Sequence, residues 1–203
     1  MTNLKLVITK VCVLLLFLSN TAVATTVSSF EMLTTPNEKA FMLSAETSGE
    51  GKIAIQIQNE QNEIVFSKNM KALNSFQQRY SLKEFKKGGY SLIITDASKI
   101  ITQPFTITEN EVEVNSGLQK TAFKPYFRFN DEVESLAVNW MKSDNSDCKF
   151  TIEDERFNVL FEESVANDGI IHRSYDFSQL PKGTYYIVIK NGNHIYNETI
   201  NVE

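Results

Sequence analysis

Apolar and polar residues alternate along almost the whole chain after residue 25. Ile53, Ile55 and Ile57, for example, are separated by Ala54 and Gln56. A period of two is typical of strands with one buried face. No stretch after residue 25 keeps the i, i+3, i+4, i+7 spacing of an amphipathic helix, and the pattern therefore predicts an all-β protein.

The alternating runs divide into fourteen predicted strands, seven in each half of the chain. They fall near residues 28–33, 38–46, 51–58, 63–70, 75–82, 88–96 and 99–107, and near 124–130, 133–141, 147–154, 157–165, 170–177, 183–190 and 194–202. Short strands at such regular spacing, with turn residues between them, favour a β-sandwich. Asn191-Gly192 lies between the last two runs and is a strong signal for a tight hairpin. The polar segment 108–120 is expected to be a linker or an extension of the last strand of the first half.

The two halves repeat each other at a displacement of 95 residues, without a gap. Residues 85–94 fall on 180–189, and Phe66 falls on Phe161. A sustained register of this kind indicates two copies of one domain. The sequence therefore predicts two tandem immunoglobulin/fibronectin III-like β-sandwiches, with boundaries at 25–115 and 116–203.

A Gly-x-Tyr motif opens the sixth predicted strand of each copy, as Gly88 and Tyr90 in the first and as Gly183 and Tyr185 in the second. A tyrosine at this place in an immunoglobulin-like sandwich can turn its hydroxyl back to the backbone while its ring packs on the core. The glycine allows the chain to enter the strand tightly. These four residues are predicted to form a structural motif.

Residues 1–24 are predicted to be a secretory signal peptide. Lys5 and Lys10 form a positive region before the short apolar stretch 11–18, and Ala22-Val23-Ala24 resembles a cleavage site. The mature chain would then start at Thr25 and carry 18 basic and 25 acidic residues, a net charge of −7. This charge disfavours binding to nucleic acid and to anionic lipid. Cys148 is the one cysteine left after cleavage, so no internal disulfide is expected, and its match with Ile53 predicts a buried thiol.

The second copy also carries a family resemblance. Residues 175–192, followed by Ile200-Asn201-Val202, resemble the C-terminal sorting domain of type IX secretion cargo, and also small bacterial immunoglobulin-like domains of unknown function. The resemblance extends to the first copy only over residues 82–107. It implies that the second module is a sorting or anchoring domain, and that the secretion machinery is a partner.

No motif for catalysis or for a cofactor stands out, so neither an enzymatic activity nor a cofactor is predicted. His172 and His194 lack neighbours at metal-ligand spacing, and no nucleophile elbow or phosphate-binding loop is present. Asp144 and Asp147 resemble a fragment of a calcium loop, which leaves either calcium binding or a solvated acidic turn open. Aromatic residues near the start of the second copy are either core residues or a platform for a carbohydrate or peptide. They are Phe123, Tyr126, Phe127 and Phe129.

The last strand is the predicted interaction edge, because an edge strand offers unpaired N–H and C=O groups to a partner. The first copy carries Pro104 at the position of Thr199, and this proline would weaken the same edge there. We therefore expect a secreted, periplasmic or surface-exposed bacterial protein, without a membrane span after cleavage, whose role is structural or based on binding protein or glycan. The candidate edge residues are Ile195, Tyr196, Asn197, Glu198, Thr199 and Ile200.

Overall fold

The structure is a computed structural model that describes residues 26–49, 51–71, 74–144, 146–166, 169–192 and 194–203. The predicted signal peptide lies outside these residues. Sixteen strands form in the described part of the chain, where no helix has the length and apolar character needed to cross a membrane. The strands are β1 (Thr26–Thr34), β2 (Ala40–Ser48), β3 (Lys52–Asn59), β4 (Ile64–Lys71), β5 (Ser75–Ser81), β6 (Gly88–Thr95), β7 (Lys99–Ile107), β8 (Val112–Val114), β9 (Lys120–Phe123), β10 (Tyr126–Asn130), β11 (Ser135–Met141), β12 (Cys148–Glu153), β13 (Val159–Val165), β14 (Ile170–Asp176), β15 (Gly183–Asn191) and β16 (His194–Val202).

The chain divides into two compact units between Phe123 and Lys124. We call residues 26–123 the first module and residues 124–203 the second module. The first module has a sheet of order β1-β2-β5 and a sheet of order β4-β3-β6-β7-β8. The second module has a sheet of order β10-β11-β14 and a sheet of order β13-β12-β15-β16. The antiparallel pairing is the same in both, which is the arrangement expected for two copies of one immunoglobulin-like sandwich.

The sequence predicts a linker or an extension of the last strand after β7, whereas the structure has two further short strands there. β8 pairs with residues 105–107 of β7, and β9 pairs with residues 99–102 of the same strand. A 3₁₀ turn at Ser116–Leu118 separates the two short strands. Hydrogen bonding to β7 therefore holds residues 112–123 in the first module, and the boundary lies at 123/124 where 115/116 was expected.

Each module has an apolar core of its own, to which alternate residues of its strands contribute. Ile55 and Leu92 are fully buried in the first core, and Phe177 and Ile187 are fully buried in the second. Cys148 is a buried free thiol in the second core. The described residues contain no disulfide, and these cores supply most of the stability of each module, because burial of apolar surface is the dominant favourable contribution to folding.

Asp96 connects the two sheets of the first module. Its carboxylate is buried and accepts a hydrogen bond from the backbone N–H of Val27 in β1, at 2.7 Å. The same carboxylate accepts hydrogen bonds from the N–H groups of Ser98 and Lys99 and from the hydroxyl of Ser98. The hairpin between β6 and β7 is thereby fastened to the first strand of the opposite sheet.

Candidate functional site

The two Gly-x-Tyr motifs have matching geometry. The hydroxyl of Tyr90 donates to the carbonyl of Lys86 at 3.0 Å, and the hydroxyl of Tyr185 donates to the carbonyl of Pro181 at 2.5 Å. In both cases the acceptor lies four residues upstream. Gly88 and Gly183 have φ values of 143° and 156°, which a residue with a Cβ rarely adopts.

Tyr185→Phe is expected to lower the free energy of unfolding of the second module by about 1 kcal/mol, because the mutation removes the hydrogen bond to Pro181. Denaturant unfolding followed by fluorescence measures this change, since Trp140 is the one tryptophan of the chain and lies in the second core. Tyr90→Phe is the matched control, because it lies in the first module and should leave the Trp140 transition in place. An unchanged midpoint and slope for Tyr185→Phe would contradict the structural role of this hydroxyl.

The candidate edge residues lie on β16, and their side chains alternate between the two faces of its sheet. Glu198 is paired with Ile187 and Ile200 with Tyr185, both of which have buried side chains, so this set faces the inner side. Tyr196 shares that face and contacts Trp140 edge-on, with ring centroids 5.3 Å apart. The other set faces outward and is exposed; it comprises Ile195, Asn197 and Thr199.

The backbone of β16 pairs with β15 on one side, and no described strand pairs with it on the other. The corresponding strand of the first module, β7, is paired on both sides, with β6 and with β8 and β9. Pro104 lies where the cover of β7 is interrupted, between the segments paired with β8 and β9. The two modules therefore present the same edge in two states, one covered by the chain itself and one without a cover among the described strands.

The acidic loop at 144–147 is organised by hydrogen-bond donors. The carboxylate of Asp144 accepts from the N–H and hydroxyl of Ser146 and from the side-chain amide of Asn191. Its pKa is lowered, chiefly by the hydroxyl of Ser146. The ammonium of Lys142, whose side chain is fully buried, lies 3.6 Å from the same carboxylate and bonds the carbonyl of Ser146. In the described part of the chain, no group of three or more acidic, His or Cys residues is placed to hold a metal ion.

The aromatic residues near the start of the second module have different environments. Phe127 and Phe129 pack against the second core, whereas Tyr126 is 62% exposed. Sequence reasoning missed a second exposed aromatic group, in which Phe157 stacks on Tyr186 with ring centroids 5.1 Å apart. Phe157 has a φ of 61°, and the matching turn of the first module has Asn62 at 62°. The shared turn geometry supports the repeat at a point where the residue types differ.

Comparison with known protein families finds a match within the first module. Residues 35–108 match the family described as the secretion system C-terminal sorting domain. Over this range, the chain is similar to a type IX sorting domain with an immunoglobulin-like fold. The matched range ends one residue after β7 and thus lies in the first module, whereas the sequence resemblance was expected chiefly in the second. A sorting domain of this type marks a secreted or cell-surface protein and implies an interaction with the secretion machinery.

No curated protein matches the chain. Among solved structures, the BSP domain of a biofilm-associated protein is 14% identical and has a TM-score of 0.28, with 87% of this chain and 29% of that chain covered. The FN1–FN3 domains of chicken CNTN1 are 7% identical, with a TM-score of 0.31 and coverage of 87% and 67%. The Group B Streptococcus pullulanase SAP is 8% identical, with a TM-score of 0.26 and coverage of 83% and 23%. The chain thus spans under a third of the length of the first of these proteins.

Proposed function

We propose that this chain is a secreted, non-enzymatic interaction protein, and that its second module binds an extended strand of a partner protein along β16. The observation that carries the proposal is the difference between the two copies. β7 of the first module is covered by β8 and β9, whereas β16 pairs with β15 alone among the described strands. Addition of a strand to such an edge is a common mode of peptide recognition.

The register indicates which backbone groups a partner would bind. In the first module, the N–H of Asp96 donates to the carbonyl of Lys99, so this pair is hydrogen-bonded across β6 and β7. Bonded and non-bonded pairs alternate along an antiparallel ladder, which makes Ser91–Pro104 a non-bonded pair. Thr199 occupies the position of Pro104 in the second module and pairs with Tyr186. Its N–H and C=O groups therefore point away from β15, together with those of Ile195, Asn197 and Asn201.

The environments of the reactive residue types support a role without catalysis. The Nδ1 atom of His172 lies 2.6 Å from the side-chain oxygen of Asn139, and His194 stacks beside Tyr196. Burial raises the pKa of the Cys148 thiol, which disfavours the reactive thiolate. Among the described residues, none of these three side chains is hydrogen-bonded to a carboxylate or to another His or Cys that could activate it for acid–base or covalent catalysis.

A second candidate function is sorting or anchoring by the second module. The family match on residues 35–108, together with the same strand order in β10–β16, favours this candidate. In that case the partner at β16 belongs to the secretion machinery. The two candidates share the edge and differ in the identity of the partner.

Site-specific photo-crosslinking in exporting cells tests the proposal. A photoreactive amino acid at Asn197 on β16 should form a discrete adduct with another protein, whereas the same amino acid at Thr102, the matching position on β7, should not. Thr102 is the matched control because it pairs with Lys120 of β9. Mass spectrometry of the adduct separates a secretion component from another envelope protein. Adducts at Thr102 alone, or equal adducts at both positions, would contradict the assignment of the edge.

A further inference from the structure

The inner face of the edge strand carries different polar residues in the two modules. Gln103 of β7 pairs with Leu92, and Glu198 of β16 pairs with Ile187 at the same place in the repeat. Leu92 and Ile187 are fully buried, so both polar side chains face the inner side of their sheets. The two residues are nearly the same in shape, but the amide can donate a hydrogen bond and the ionised carboxylate can only accept one.

Gln103 helps to hold the cover of β7. Its side-chain nitrogen donates to the carbonyl of Asn115, which follows β8, and to the carbonyl of Pro104, both at 2.9 Å. With the cover in place, Gln103 is only 2% exposed. The amide therefore links the edge strand to the covering segment at the point where that segment leaves β7.

Glu198 cannot make the same contacts when it is ionised. A carboxylate in the place of the Gln103 amide would lie next to the carbonyl oxygens to which that amide donates. Two hydrogen-bond acceptors in such a position repel each other. Glu198 is exposed in this structure, although partial burial already raises its pKa. A strand added to β16 would bury it further, and a buried carboxylate requires a donor or a positive charge beside it.

We propose that Glu198 selects the strand that binds β16, by requiring a lysine or arginine at the position directly opposite it. This inference rests on the proposed function of the β16 edge. Because Glu198 directs its backbone groups toward β15, the residue opposite it in an added antiparallel strand belongs to a non-bonded pair, in which side chains come closest together. A cation there would satisfy the carboxylate at short range.

The same position disfavours two other occupants. A second copy of β16, paired antiparallel about Glu198, would place two carboxylates opposite each other, which is destabilising. A segment such as 112–119, which presents the carbonyl of Asn115 to Gln103, would present an acceptor to another acceptor. An inward-pointing charge on an edge strand also protects against unspecific pairing. The partner is therefore a different polypeptide with a basic residue on its inward face.

Three synthetic peptides test this selectivity on the full mature chain. Each is a capped nine-residue strand of alternating Thr and Val, with Lys, Gln or Glu at the central inward position. Binding is measured by NMR from the shifts of the Asn197 and Thr199 amides. We expect the Lys peptide to bind about fivefold or more tightly than the Glu peptide, since opposite charges across a strand pair attract and like charges repel.

Variants of Glu198 provide the decisive comparison. Glu198→Lys should reverse the order of the Lys and Glu peptides, and Glu198→Gln should remove the preference. Glu155→Lys is the control, because it makes the same change of charge on an exposed turn of the same module and should keep the wild-type order. Trp140 fluorescence shows that each variant is folded.

The outcomes separate the two proposals. Peptides that bind with equal affinity, but lose binding in Thr199→Pro, would overturn the role of Glu198 and leave the edge assignment in place. Binding that persists unchanged in Thr199→Pro would overturn both proposals. Failure of all three peptides to shift the β16 amides at millimolar concentration would also overturn both.

Discussion

Asp96→Ala is expected to lower the free energy of unfolding of the first module by about 3 kcal/mol, the largest stability effect among our predictions. The mutation leaves the N–H of Val27 without its acceptor in a position that is fully buried. An unsatisfied buried donor costs about 1–3 kcal/mol, and each lost hydrogen bond to a charged group contributes about 1.5–3 kcal/mol. In the mutant, the donors on Ser98 and Lys99 can form hydrogen bonds with water, which limits their contribution to the loss of stability. Amide hydrogen exchange of β6 and β7 measures the change.

Two controls accompany this measurement. Asp176→Ala removes a carboxylate that accepts from the N–H of Ser178 on an exposed turn, and this variant should lose about 1 kcal/mol or less. The midpoint of the unfolding transition reported by Trp140 should not change in Asp96→Ala, because Trp140 lies in the second module and Asp96 in the first. A loss below about 0.5 kcal/mol in Asp96→Ala would show that Val27 finds another acceptor, and would contradict the role of the carboxylate.

The strands that belong to both copies were predictable because their apolar residues alternate and recur at the same displacement. β3 was expected near 51–58 and lies at Lys52–Asn59, and β7 was expected and found at 99–107. Residues such as Ile55 and Leu92 are buried on one face of their strands. Because successive side chains of a strand point to opposite faces, this burial produces the alternation of apolar and polar residues in the sequence. The all-β class follows from the same pattern, and the two tandem sandwiches follow from the pattern together with the repeat.

β8 and β9 could not be predicted in the same way. Val112 and Val114 alternate with glutamates over three residues only, which is too short for a periodic signal. Their pairing with β7 depends on a contact between segments that the sequence does not mark as partners. Pro104 was expected to weaken this edge, and the structure places it at the gap in the cover, where no N–H is needed.

Part of the candidate site could be predicted, because the repeat places a tyrosine at the start of the same strand in both copies. The hydroxyl contacts of Tyr90 and Tyr185 follow from the position of each tyrosine at the start of its strand. The role of Asp96 was not visible, because the hairpin position predicts a turn residue and its acceptor contact with Val27 crosses between sheets. The difference between Gln103 and Glu198 was present in the repeat, but its meaning depends on the cover that only the structure shows.

Thr199→Pro is expected to weaken capture of the partner by about tenfold or more, while lowering the stability of the second module only slightly. The N–H of Thr199 points away from β15, so proline removes no hydrogen bond within the sheet. It does remove a donor from the open edge and places a ring where a partner strand would lie. A lost hydrogen bond contributes about 0.5–1.5 kcal/mol, and steric exclusion adds to it, which together correspond to about a factor of ten. Quantitative pull-down of the partner found by crosslinking measures the first effect, and the Trp140 transition measures the second.

The repeat supplies the control for this variant. Pro104→Thr restores the backbone donor at the matching position of the first module, where β8 and β9 flank it on the covered edge. That change should leave capture as it is, because the cover keeps a partner from β7. The presence of Pro104 in the first module also shows that the fold accepts proline at this position of the edge strand, so a loss of capture in Thr199→Pro cannot be ascribed to an incompatible backbone. Wild-type capture by Thr199→Pro, or loss of capture when the first module alone is altered, would place the binding surface elsewhere.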